Sequence, residues 1–147
     1  MDELIEDMKV CLATTFAFYL KAHNFHWNVE GPLFYNYHKL FQKIYEDAFD
    51  AVDGLAEEIR TLGSFAPGAM SRYLELSKVD DEISFFDAQR MVKTLQMDNE
   101  RVIGVLEKAQ RAAAKEKCVG LENYLQDRID KHFKHNWMLK ATLGNAK

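Results

Sequence analysis

A chain of 147 residues, 48% apolar and 29% charged, has the size and balance of one folded domain spanning 1–147, which excludes a disordered chain. Its net charge of −4 gives no general pull toward nucleic acid, and the apolar run Val10–Leu20 is shorter than the roughly 20 residues of a membrane span. The acidic start Met1–Asp7 lacks the basic region of a secretory signal and Cys11 and Cys118 form no CxxC, so two free thiols in a reducing cytoplasm are expected.

Two prolines and seven glycines fall mainly at boundaries, and no β-type alternation is sustained, so nearly everything reads as helix. A first helix is predicted from about Asp2 to Val29, with Leu4, Met8, Cys11, Leu12, Thr15, Phe16, Tyr19 and Leu20 as its apolar stripe. Glu30-Gly31-Pro32 ends it, and Pro32, which needs no N–H donor there, opens a second helix running to about Leu62. The second stripe is Phe34, Tyr37, Phe41, Ile44, Tyr45, Ala48, Val52, Leu55, Ala56 and Ile59. After Gly63 comes a long connection with one short helix around Ser71–Leu76. Ser84-Phe85-Phe86-Asp87 reads as a capping box opening a third long helix to about Ala114, in which Gly104 is a weak point. Lys115–Gly120 is a short break, and a fourth long helix runs from about Leu121 to Leu143, closed by Gly144. The fold class is therefore all-α, a four-helix bundle with a long crossover and a short helix between its second and third long helices.

The residues that carry chemistry are His26, His38, Asp53 and Glu57. Asp53 and Glu57 are four apart, so they share a helix face and both could reach one cation. His38 lies fifteen residues before Asp53, which is about 22 Å along a continuous helix at ~1.5 Å per residue. If all four bind one metal, the chain must fold back or a second chain must supply half of them. Imidazole and carboxylate donors without a thiolate suit iron, zinc or manganese. His23 and His26 form a second, weaker candidate pair at i,i+3. A metal centre inside the bundle usually carries Glu-x-x-His on two helices, and none of the five histidines here is preceded that way.

The stretch Leu20–Gly63 resembles the Dps family, the DNA-binding proteins from starved cells, which are twelve-subunit mini-ferritins. The matching pieces are His26-Trp27-x-x-x-Gly31, Phe34, His38, and Val52-Asp53-x-Leu55-Ala56-Glu57-x-Ile59-Arg60-x-Leu62-Gly63. Ile129-Asp130-x-His132 and Trp137-Met138-Leu139-Lys140-Ala141-x-Leu143 resemble the family's last helix. The resemblance implies a ferritin-like bundle and a homo-oligomer, a dodecamer built from twofold dimers. It implies ferroxidase centres shared between two subunits, with His26 and His38 from one and Asp53 and Glu57 from the other. The activity implied is Fe(II) oxidation, by hydrogen peroxide in much of the family, and storage of ferric iron in a hollow shell. Zinc is a substitute metal. Trp27, beside a ligand, could take up stray oxidising equivalents or serve as an interface aromatic.

The chain departs from the family pattern in three places. Gln42 stands where the family has an acid four residues after the second histidine, which predicts a weakened second iron position, a slower and mononuclear centre, with Glu46 one turn on. Glu58 replaces an Arg that often follows the Glu ligand, which predicts an altered interface ion pair. The family's Lys-rich tail is missing: the first helix starts almost at once, and the final residues include only Lys140 and Lys147, so weak or no DNA binding is expected. The competing readings are a structural assembly of the same fold holding a single metal, kept alive by Gln42, and a DNA-associated assembly.

Overall fold

The computed structural model describes residues 1–85 and 87–144. Five helices follow one another: α1 (Asp2–Asn28), α2 (Phe34–Thr61), α3 (Met70–Leu76), α4 (Ala88–Lys115) and α5 (Val119–Leu143), with no strand among the described residues. Helices α1, α2, α4 and α5 form the bundle, and the short α3 sits in the crossover, as the sequence predicts. Phe86 of the expected capping box and Lys147 of the expected last cations lie outside the described residues.

Boundaries fall within one or two residues of those expected except the start of α4, three residues later than a Ser84 cap implies, and two helix starts differ in mechanism. Pro32 does not open α2; it sits in the turn, and Leu33 is the residue flanking the helix. The box at Ser84 does not cap α4 either. Asp87 itself is the N-cap, its Oδ1 accepting from the Arg90 N–H at 2.9 Å, because a one-carbon carboxylate reaches the third amide of the first turn directly. Helix α4 continues unbroken through Gly104.

Helix α1 packs against α2, α4 and α3, so it is buried on several sides rather than along one stripe. Its buried set includes Leu4, Met8, Cys11, Leu12, Phe18, Ala22 and Phe25, while Phe16, Tyr19 and Leu20 of the expected stripe are only half-buried. Helix α2 does keep one face, Phe41, Ile44, Ala48, Ala51, Leu55 and Ile59. Each large apolar side chain withdrawn from water there contributes about 1.5–3 kcal/mol. The crossover is fastened to α1 by Lys78, whose backbone N–H donates to Thr14 Oγ1 at 3.1 Å, and by the tilted rings of Phe16 and Tyr73, with centroids 4.7 Å apart.

Tyr124 and Arg128 of α5 both reach α2. Gly54 lets Tyr124 approach the α2 backbone: a Cβ at position 54 would lie 2.5 Å from Tyr124 Oη. Four residues further along α5, Arg128 donates two hydrogen bonds of 3.0 Å to the two carboxylate oxygens of Asp47.

Candidate metal centre

Helix α1 ends at Asn28, buried Val29 follows, and Gly31 turns the chain with φ +123°, a left-handed value that glycine adopts without strain. This turn brings the last turn of α1 against the first turns of α2. The rings of His26 and His38 stack there, with centroids 3.7 Å apart and planes 16° apart. Their backbone bonds are reciprocal. His26 Nδ1 lies 2.8 Å from the His38 carbonyl oxygen, and His38 Nδ1 lies 2.7 Å from the His26 carbonyl oxygen. A carbonyl oxygen only accepts, so both Nδ1 atoms must carry hydrogen. In the neutral rings each Nε2 is then left with a lone pair, the form in which imidazole binds a metal.

The pair lies in an aromatic surround. Phe34 stacks on His38 at 4.9 Å, and Tyr45 meets His26 edge-on at 5.0 Å. His23, the weaker candidate ligand, is engaged otherwise: its Nδ1 is 2.9 Å from Tyr19 Oη, and its ring is sandwiched between Tyr45 at 3.8 Å and Trp27 at 3.9 Å. Burial, and then the neighbouring His26, lower its pKa from the ordinary imidazole value. Trp27 itself is 59% exposed.

Asp53 and Glu57 are exposed on α2 and make no hydrogen bond or ion pair among the described residues. Helix α2 is unbroken from Phe34 to Thr61, so it carries His38 and Asp53 on one continuous helix and cannot fold one back onto the other. Within one chain the structure therefore brings together His26 and His38 but leaves Asp53 and Glu57 apart from them. No group of three or more His, Cys, Asp or Glu side chains converges among the described residues. Gln42, half-buried one turn after His38, donates from Nε2 to Glu46 Oε1 at 2.9 Å.

The bundle interior is occupied by a polar network not foreseen from the sequence. Besides its two bonds to Asp47, Arg128 approaches His132 Nε2 at 3.1 Å. A guanidinium only donates, so His132 Nε2 accepts and Nδ1 carries the hydrogen, which it gives to Asn99 Oδ1 at 2.7 Å. Asn99 Nδ2 returns a bond to the His132 carbonyl at 2.8 Å. Burial, with Arg128 and His135, holds the His132 pKa well below its ordinary range, in keeping with a neutral ring. His135 Nε2 donates to Asp47 Oδ2 at 2.7 Å. Burial alone would raise the Asp47 pKa, but the bonds and charges of His135 and Arg128 outweigh it and hold the carboxyl well below the usual range. Asp47 is thus already neutralised by a guanidinium, a poor setting for a further cation. One signal could have revealed this network: the core run Leu121, Leu125, Arg128, His132, His135, Leu139 puts three polar residues at heptad spacing.

No described helix is long and apolar enough to cross a membrane, and both cysteines are free.

Comparison with known proteins agrees with this fold. Residues 8–147 match the model of the ferritin-like domain family. The chain is 30% identical over 142 residues to DNA protection during starvation protein 2 of Bacillus anthracis, covering 97% of each. It is 33% identical over 140 residues to the DNA protection during starvation protein of Helicobacter pylori, covering 95% of this chain and 97% of that one. Among solved structures, Dps from Staphylococcus aureus superposes with a TM-score of 0.92 at 31% identity, over 97% of this chain and 96% of that one. The Vibrio cholerae Dps, a member of a broad superfamily of ferritin-like diiron-carboxylate proteins, gives 0.92 at 26% identity over 97% and 89%. A bundle whose imidazole pair lies at the α1–α2 turn, matched over nearly its whole length by Dps proteins, belongs to the Dps family of ferritin-like proteins.

Proposed function

We propose that this chain is an iron-binding mini-ferritin whose metal centre is completed by a second copy. His26 and His38 of one copy and Asp53 and Glu57 of another supply two imidazole nitrogens and two carboxylates. That donor set matches Fe(II) in hardness and compensates its charge; zinc would bind the same set in its place. The observation that carries the reading is the reciprocal bonding of the two histidines. Each Nδ1–H is held by the other's backbone carbonyl, so the rings are oriented and the metal-binding tautomer is set before any metal arrives.

Fe(II) is the substrate, and hydrogen peroxide the oxidant. One peroxide accepts two electrons, one from each of two Fe(II), and leaves as water. Consuming both reagents protects against oxidative damage, and the ferric product is stored inside a hollow homo-oligomeric shell, a cytoplasmic dodecamer. Gln42 contributes no charge where a carboxylate would hold the second iron, and its amide is committed to Glu46, so one iron per site is held strongly. The mildly acidic chain leaves DNA binding weak or absent.

The test is Fe(II) titration of the purified assembly with peroxide and, separately, with air. Ferric absorbance that rises faster than in buffer, with many irons retained through gel filtration and both lost in Asp53→Asn and His26→Asn, is the expected result. Oxidation no faster than in buffer would refute the ferroxidase reading. Salt-sensitive DNA complexes in a gel shift at micromolar protein would refute the weak DNA binding.

A further inference from the structure

We infer that a second copy of this chain docks antiparallel on the exposed face of α2, held in register by two ion pairs, each between Lys43 of one copy and Asp50 of the other. This rests on the shared-centre reading above and names what sets the register of that partner. The exposed charges of α2 are segregated by sign: Lys39 and Lys43 come first, then Glu46, Asp50, Asp53 and Glu57. Helical spacing therefore puts like charges side by side, Lys39 beside Lys43, Glu46 beside Asp50 and Asp53 beside Glu57, which disfavours the helix in an isolated chain. Other helices pair such charges with opposite ones, Lys9 with Glu6, Arg72 with Glu75 and Lys134 with Asp130. On α2 the nearest acid to Lys43, Glu46, accepts instead from Gln42 at 2.9 Å. Neither Lys43 nor Asp50 makes a hydrogen bond or ion pair among the described residues, and between them stands Phe49, 54% exposed.

An antiparallel copy sets the lysines of each helix against the acids of the other, whereas a parallel copy would set lysine against lysine. The shared centre supplies the register. If His38 of each copy meets Asp53 and Glu57 of the other, the twofold axis crosses α2 midway between them. The midpoint with Asp53 falls between Tyr45 and Glu46, and that with Glu57 between Asp47 and Ala48. The axis thus passes between Glu46 and Asp47, and Lys43 and Asp50 lie equally far from it on either side. Seven residues are nearly two full turns, so both side chains leave the same flank of α2. A twofold axis keeps that flank on its own side of the pair, so Lys43 of each copy comes opposite Asp50 of the other. Phe49, close to the axis, is apolar surface that such docking covers.

Sedimentation velocity on the chelator-treated, metal-free assembly over a range of protein concentrations tests this apart from the iron chemistry. Lys43→Glu sets an acid against Asp50 twice in every pair, and Asp50→Lys sets a lysine against Lys43 twice. Each variant alone is expected to need about tenfold more protein than the parent to assemble, with its helix content by circular dichroism unchanged. An equimolar mixture of the two variants is expected to assemble as the parent does, because both contacts between unlike copies again join opposite charges. A contact within one chain cannot be repaired by mixing, so recovery is specific to position 43 facing position 50 across the axis. Single variants that assemble like the parent, or a mixture no better than either alone, overturn the proposal. Recovery in the mixture, with no Fe(II) oxidation by the parent, would leave the docked register standing and refute the iron reading. Fe(II) oxidation by the parent, with single variants that assemble normally, would do the reverse.

Discussion

Replacing Asp47 with alanine tests the bundle's interior most directly. Among the described residues Asp47 is the only carboxylate bonded to Arg128, whose side chain is 7% exposed, and it also accepts from His135, 6% exposed. Removing one partner of a buried ion pair costs about 3–5 kcal/mol, because the remaining charge stays desolvated. The Asp47 side chain is itself 24% exposed, so water can reach the vacated space, and the lower end, about 3 kcal/mol, is expected. For a chain of this size about 2–4 °C of Tm follows each kcal/mol, so Asp47→Ala should melt on the order of 10 °C below the parent. Urea and thermal melts followed by circular dichroism at one fixed protein concentration measure this, since assembly makes Tm depend on concentration. The double variant Asp47→Leu with Arg128→Met removes both charges and should recover most of the loss. A single variant within about 1 kcal/mol of the parent, or a double variant no more stable than the single, would refute the reasoning.

Gly54→Ala drives a Cβ to 2.5 Å from Tyr124 Oη, and this overpacking, about 1–3 kcal/mol, should outweigh the ~1 kcal/mol helical gain; combining it with Tyr124→Phe should restore stability in the same melts. Gln42→Glu returns a carboxylate one turn from His38, and should raise the iron bound per site and the oxidation rate; an unchanged Fe(II) titration refutes the account of Gln42. His132 should give a pH dependence of known sign. Its folded pKa is depressed, so below about pH 6.5 the unfolded chain takes up a proton that the folded chain refuses, and stability falls as pH falls through that window. Stability measured from pH 7.5 to 5 in His132→Gln should have a flatter slope than in the parent; equal slopes would count against a neutral buried His132.

Much of the bundle was legible because helical periodicity and glycine or proline boundaries are local signals. The separation of His38 from Asp53 was legible too: fifteen residues of helix are a length, and the unbroken α2 keeps it. What could not be read was which side of α1 is buried. Phe18 and Phe25 lie inside while Phe16 and Tyr19 do not, and that depends on where α3 and α4 dock. The same dependence hid the polar interior. Asp47 and Asn99 sit on helices far apart in sequence, and only α5's own spacing hinted that Arg128 and His132 face them. The partners of His23 were hidden for a simpler reason: an i,i+3 pair with His26 suggests a metal, whereas its i−4 neighbour Tyr19 holds the nitrogen.

The crossed carbonyl bonds of His26 and His38 give these two residues a second employment. They latch the end of α1 to the start of α2, twelve residues apart, whether or not any ion is present. Alanine at either position would unlatch that hairpin as well as remove a donor, so asparagine, whose amide N–H can still reach the carbonyl, is the cleaner substitution. A sibling chain that had abandoned iron would keep both imidazoles simply to hold its first turn shut. Nothing within its own fold would preserve Asp53 or Glu57, so those two acids, rather than the histidines, are where a lost vocation would first be written.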